Sequence, residues 1–235
     1  LQRAPRLKAI STMGVGTNHF DVAAMKRHGI LGTNTPDVLD ETVADLVIAL
    51  MLGTARRVAE LDRYVKDGLW RKDDREKLFG TDVHHATLGI VGLGRIGEAI
   101  ARRAVYGFSM EVLYYNRNRK PEAEERLGIR YAPLESLLGQ SDFIAVMVPL
   151  TSETSQLIGR EQFGQMKPGA IFINASRGQT VDEDALVDAL TSGRLRAAGL
   201  DVFREEPPAR ENPLLQMPNV LTLPHIGSAT FSTRL

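Results

Sequence analysis

The sequence predicts an α/β protein, a parallel sheet wound on both faces by helices, with a smaller segment ahead of it. Three observations carry that expectation. After Thr87 the chain alternates helical stretches with short β-rich runs: "LGIVG", "EVLYYN", "FIAVMVPL", "AIFINAS", "RAAGLDVF" and "NVLTLPH". Those runs are apolar without alternation, the pattern of strands buried on both sides. Finally, Gly92, Gly94 and Gly97 fall directly after "LGIV" and open "RIGEAIARRA", where a strand hands over to a helix.

Taken in order, residues 7–12 and 30–33 read as short strands flanking a helix that starts near Asp21. From Asp40 to Lys66 the apolar positions Val43, Val47, Leu50, Met51, Val58, Leu61 and Val65 recur at steps of three and four, with Gly68 as C-cap. This predicts one long helix, better suited to a connector between lobes or a dimer arm than to a core. The run "RKDDREK" at 71–77 reads as a solvated loop. The six strands follow, and "SATFSTRL" reads as a helix just starting. With its opening already strand-like, the chain reads as a fragment.

Composition narrows the function classes. In 235 residues, 43% apolar and 25% charged content is that of a packed globular protein. With 29 basic and 29 acidic residues there is no global field for a polyanion or an anionic membrane, so no nucleic-acid or membrane partner is expected. No cysteine is present, which excludes disulfides, thiolate zinc sites and cysteine nucleophiles. The longest apolar run, "LVIALML" at 46–52, is far short of a membrane span, and no signal layout opens the chain; a cytoplasmic location is expected. His84 and His85 are adjacent, a poor spacing for shared ligation, so they read as structural and no metal is expected.

The glycine spacing reads as the floor of a dinucleotide site. Gly92 makes the turn, Gly94 lets a pyrophosphate approach the backbone, and Gly97 lets helix and strand touch. The N–H groups opening that helix, from Arg95, Ile96 and Gly97, then face the phosphates with the positive end of the helix dipole. The fold expected is therefore a Rossmann-type doubly wound parallel sheet. At the end of the second strand, where an acid on the ribose hydroxyls would indicate NAD, the sequence reads "YYNRNRK". Asn116 takes the acidic position, and Arg117 and Arg119 would offer cations to a 2′-phosphate. NADP(H) is expected to be preferred, with NAD(H) as second choice; the alternative is two solvated arginines.

Three more strand ends carry polar residues: "NASRG", "LDVFREEP" and "LPHIGS". Ligands of an open α/β sheet lie outside the carboxyl ends of the strands, so Arg177, Asp201 and His225 should converge there, with Glu206 in the loop just after. Singly, each has a structural explanation. Together they fit one reaction: arginine is a planar donor for a carboxylate, and histidine can hand over a proton near neutral pH. An adjacent glutamate would hold the imidazole in one tautomer and favour its acid form, as carbonyl reduction needs.

With "GVGTNHFD", "ETVADLVIALML", "GLGRIG", "VPLTSET", "INASRG", "AAGLDVFREEP" and "LPHIGSAT" in this order, the chain resembles the D-isomer-specific 2-hydroxyacid dehydrogenase family over essentially its whole length. The resemblance implies an incomplete flavodoxin-like substrate domain at 1–41. It implies an NAD(P)-binding domain at 42–226, with a linker and dimer helix at 40–67, and the start of a return to the substrate domain at 227–235. It implies that Arg177 binds the substrate carboxylate and carbonyl, that His225 protonates the carbonyl oxygen as hydride arrives, and that Glu206 is its partner. Val15 and Gly16 would offer backbone N–H groups to the carboxylate. Asp201 would orient the nicotinamide amide, while Val148, Pro149, Thr154, Ala175, Ser176, Gly227 and Ser228 would line the cofactor beside His225. A homodimer is implied as well.

Within the family, "GTDVHHATLGIVG" and "FINASRG" look most like the bacterial glyoxylate/hydroxypyruvate reductases that also reduce 2-ketogluconate. Thr17, Asn18 and His19 depart from their usual Tyr-Asp-Asn, and Leu78 stands where a tryptophan often enters the pocket, leaving room for a longer sugar acid. The expected function is reduction of a small 2-ketoacid with NADPH. The alternatives are a 3-phosphoglycerate dehydrogenase-like enzyme, against which Asn116 argues, and a non-catalytic, dinucleotide-sensing corepressor.

Overall fold

The computed structural model describes residues 4–235; Leu1, Gln2 and Arg3, the head of the predicted partial substrate domain, lie outside the described residues. The chain forms two parallel sheets. In the small one, β1 (Ala9–Ser11) and β2 (Leu31–Thr33) pair with Ala9 opposite Leu31, joined through α1 (Val22–Arg27). Asp21 starts α1 by accepting the Ala24 amide at 2.8 Å, which satisfies an otherwise orphaned donor.

The large sheet has seven strands: β3 (Thr87–Val91), β4 (Glu111–Tyr115), β5 (Arg130–Tyr131), β6 (Phe143–Val146), β7 (Ala170–Asn174), β8 (Leu195–Leu200) and β9 (Val220–Thr222). Their order is β5-β4-β3-β6-β7-β8-β9 and every pairing is parallel. Strand order reverses between β3 and β6, which opens a crevice at their carboxyl ends. On one face pack α2 (Asp40–Ala55), α4 (Arg95–Phe108) and α5 (Pro121–Leu127). On the other lie α6 (Leu134–Gln140), α7 (Arg160–Gln165) and α8 (Glu183–Thr191). All residues of β6 and β7 are buried, as their unbroken apolar runs require, and each such Ile or Phe contributes roughly 1.5–3 kcal/mol. The chain closes with α9 (Phe231–Arg234).

The predicted helix over 40–67 is two helices. α2 stops at Ala55 and α3 (Val58–Lys66) begins after Arg57, which sits in the left-handed region at φ 57°. The cause is tertiary: the Ala55 carbonyl, which a continuing helix would use internally, accepts the Thr81 amide at 2.8 Å. Arg57 then clamps Glu60 at 2.6 and 2.8 Å and the Lys77 carbonyl at 2.7 Å. Nor is α2 a connector, because Val47, Leu50 and Met51 are fully buried against α4, β7 and β8. Of the two, α3 is the surface element, without a buried residue. Strand β5 carries no signal of its own, being two residues at the sheet edge. Among the described residues no helix is long and apolar enough to cross a membrane.

Candidate active site

At the β3–α4 turn, Gly92 adopts φ 108°, and a β carbon there would stand 2.8 Å from the Met147 carbonyl carbon. A β carbon at Gly97 would stand 2.4 Å from the Gly92 oxygen, so helix and strand touch through bare backbone. Gly94 is different, since a β carbon there meets nothing within 4 Å. No side chain caps α4, so the amides of its first turn take no side-chain acceptor. This cradle fits a pyrophosphate. The Arg95 side chain turns away to the carboxylates of Asp37 and Asp40, at 2.9 and 3.0 Å.

Beyond β4, the Asn116 amide donates to the Asn118 carbonyl at 3.1 Å. Arg119 is already paired, with two bonds of 2.7 Å to Glu124, and that contact pulls the Glu124 carboxyl from 4.5 to about 2. Two of the five N–H donors of Arg119 are thereby spent on Glu124, and a phosphate would meet a guanidinium whose charge is already offset. Arg117 acts on Glu153, whose carboxyl is held below the usual range first by the Thr151 hydroxyl and in smaller part by Arg117.

The adjacent strands β7, β8 and β9 deliver the polar cluster to one end of the sheet. His225, at φ 53°, meets Glu206 through Nδ1 and Oε2 at 2.6 Å, and the other Glu206 oxygen accepts the Phe203 amide at 3.1 Å. Arg177 lies close enough for the Glu206 charge to act on it; burial lowers the guanidinium pKa, and Glu206 works against that shift. Asp201 is buried and accepts the amides of Ile226 and Gly227, both at 2.8 Å, so it ties the end of β8 to the turn carrying His225. The Gly227 amide is thereby committed within the protein.

Two residues that sequence reasoning did not single out shape this cluster. Asn174, buried at the end of β7, accepts the Ser176 amide at 3.0 Å and hydroxyl at 2.9 Å and donates to the Arg177 carbonyl at 3.1 Å. Gly178 lies against the next loop, where a β carbon would come within 1.9 Å of the Phe203 carbonyl carbon. Both stand in "NASRG", where an amide and a glycine flanking the arginine were the available signal. The small sheet also reaches the cluster: Gly16 packs on the Arg177 guanidinium, and the Val15 carbonyl is held by Asn34 at 2.9 Å.

The other residues expected at the cofactor lie in the loops that follow β6, β7 and β9. The loop after β6 carries Val148 and Pro149, and Thr154 closes it by donating to the Pro149 carbonyl at 2.5 Å. Ala175 and Ser176 follow β7, and Ser228 accepts from Arg234 at 3.1 Å. Among the described residues, no group of three or more His, Asp or Glu side chains is arranged to hold a metal; His84 lies 3.8 Å from Asp82.

Fold and site together define a nicotinamide-dinucleotide-dependent dehydrogenase. Residues 48–227 match the family described as D-isomer specific 2-hydroxyacid dehydrogenase, NAD binding domain. The chain is 56% identical over 234 residues to glyoxylate/hydroxypyruvate reductase B of Citrobacter koseri, covering 100% of this chain and 72% of that protein. The same enzyme of Pectobacterium atrosepticum is 56% identical, with 73% of it covered. Among solved structures, a Thermus thermophilus protein superposes with a TM-score of 0.92 at 46% identity, covering 99% of this chain and 73% of that one. An NADPH-dependent glyoxylate/hydroxypyruvate reductase of Sinorhizobium meliloti, in complex with NADP and malonate, gives 0.88 at 40%, covering 98% and 70%. The chain belongs to the D-isomer specific 2-hydroxyacid dehydrogenase family, oxidoreductases that act on CH–OH donors with NAD(P).

Proposed function

We propose that this protein reduces a small 2-ketoacid, glyoxylate or hydroxypyruvate and also 2-ketogluconate, to the D-2-hydroxyacid with NADPH. The observation that carries the reading is the 2.6 Å contact between His225 Nδ1 and Glu206, beside Arg177 and at the same sheet end as a pyrophosphate cradle. When bound, the nicotinamide supplies the hydride. Arg177 holds the substrate carboxylate and carbonyl, with the amides of Val15 and Gly16 completing the carboxylate pocket. His225 donates its Nε2 proton to the carbonyl oxygen, while Glu206 fixes the tautomer from Nδ1 and orients the ring.

Preference for NADPH rests on Asn116 and Arg117, which present an amide and a cation where NAD sites present an acid. Relatives named glyoxylate/hydroxypyruvate reductase support the substrate class. In this reading, residues 1–41 belong to the substrate lobe, 42–226 to the cofactor lobe, and 227–235 start the return. Asp201 orients the nicotinamide amide, and Val148, Pro149, Thr154, Ala175, Ser176, Gly227 and Ser228 line the cofactor beside His225. We assign α3 and the loop after it to a homodimer contact: Val58, Val65, Trp70 and Phe79 are exposed, beside a groove of about 580 Å³ that contains none of Arg177, Glu206 or His225.

The test is a panel of 2-ketoacids assayed with NADPH and NADH on the full protein and on His225→Ala. The parent should consume NADPH, and the variant should lose about 10²–10⁴-fold in kcat while still changing NADPH fluorescence on binding. Equal rates in the two proteins overturn the assignment.

A further inference from the structure

Glu183 opens α8 yet spends its side chain outside that helix. The residue is 7% exposed, and the reaction proposed above makes no use of it. Asp182 already caps α8 by accepting the amides of Asp184 and Ala185 at 3.1 and 3.2 Å, so the helix start is satisfied without Glu183. The two Glu183 oxygens lie instead 3.1 and 3.3 Å from a single donor, the Arg204 amide in the loop after β8. The Arg204 carbonyl in turn accepts the side-chain amide of Gln179, two residues after Arg177, at 2.8 Å. Both backbone polar groups of residue 204 are therefore held by side chains. The neighbouring Phe203 amide donates to Glu206 at 3.1 Å, so the peptide planes on either side of Phe203 are set by two different carboxylates, Glu206 and Glu183.

We infer that Glu183 is a positioning residue for the reaction proposed above: it fixes the backbone that presents Glu206, and through Glu206 the ring of His225. Glu183 bonds to a peptide amide of the loop, so its work is to hold that loop while Glu206 meets Nδ1 at 2.6 Å. Without the Glu183 acceptor, the peptide between Phe203 and Arg204 loses the tie that sets its plane, two residues before Glu206. Glutamine in its place keeps an oxygen for the Arg204 amide, whereas methionine fills a similar volume and offers no comparable acceptor.

This inference rests on the reading that His225 and Glu206 deliver the proton, and the test separates the two. Glu183→Met and Glu183→Gln are compared with the parent in steady-state kinetics on the full protein, alone and combined with Glu206→Gln. Proton NMR follows the strongly deshielded imidazole proton between His225 Nδ1 and Glu206, assigned by its loss in His225→Ala. Glu183→Met should lose about tenfold in kcat with the NADPH Kd unchanged, and Glu183→Gln should stay within about threefold of the parent. Added to Glu206→Gln, Glu183→Met should cost nothing further, which a merely looser loop would not produce. The proton should move upfield or broaden in Glu183→Met and keep its position in Glu183→Gln. A kcat in Glu183→Met within about twofold of the parent, an equal loss in Glu183→Gln, a matching rise in the NADPH Kd, or the full loss recurring on top of Glu206→Gln overturns the role of Glu183. A parent that oxidises no NADPH fails the reductase reading, and the proton then decides alone: displaced in Glu183→Met only, it leaves the hold of Glu183 on Glu206 standing, and unmoved, it overturns that hold. A parent with neither turnover nor the deshielded proton overturns both.

Discussion

Asp201 is 1% exposed, and each of its oxygens accepts one backbone amide from the turn that carries His225. Burial pushes its pKa up, and the two N–H donors oppose that shift. Asp201→Ala would orphan both amides, so it should lower stability by about 2 kcal/mol or more, read as a lower urea midpoint, and should free the His225 turn. Glu124 is the opposite case, a carboxyl lowered to about 2 by Arg119. A depressed folded pKa gives stability that is present above the unfolded value of 4.5 and lost as pH falls toward about 2. The melting-temperature gap between the parent and Glu124→Gln, open at pH 7, should therefore close over that window. The same pair marks a limit of sequence reading: two arginines after a strand are visible as letters, but which one is taken by a glutamate in the next helix depends on side-chain direction.

At the scale of elements, the β3–α4 turn makes the sharpest prediction. Gly97→Ala would drive a methyl to 2.4 Å from the Gly92 oxygen, prising α4 off β3. It should cost about 1–3 kcal/mol and weaken NADPH binding, measured by denaturant melts and fluorescence titration. That turn was legible in advance because glycines at this spacing between a strand and a helix have a steric reason to be there. The inner strands of the large sheet, β6 and β7 above all, were legible for a similar reason, since burial on both faces leaves an unbroken apolar run; the two-residue edge strand β5 was not. The break between α2 and α3 was not, because it is made by Thr81 and by carbonyls at Lys77 and Phe79, which bond to Ala55 and Arg57 from 20 or more residues further along the chain. The apolar three-and-four spacing runs straight through Arg57 regardless. Likewise Arg177, Asp201 and His225 could be read from strand ends, whereas the bond from Arg177 to Asn18 joins segments with no common periodicity.

Across the whole molecule, α3 and the loop beyond it leave Trp70 at 65% and Phe79 at 66% exposed, a combination that a second copy would cover. The double variant Trp70→Glu, Phe79→Glu should sediment at the mass of one chain where the parent sediments at two, with the circular dichroism spectrum preserved. A parent that is already monomeric at micromolar concentration removes the dimer from the account. A different consequence follows from the close approach of Gly178 to the Phe203 backbone. With no side chain to act as a cushion, the two loops are butted together like stones without mortar, and neither can slip without the other. Thermal jostling therefore carries the guanidinium and the imidazole's partner as one rigid piece, so their spacing survives even when the loops as a whole sway.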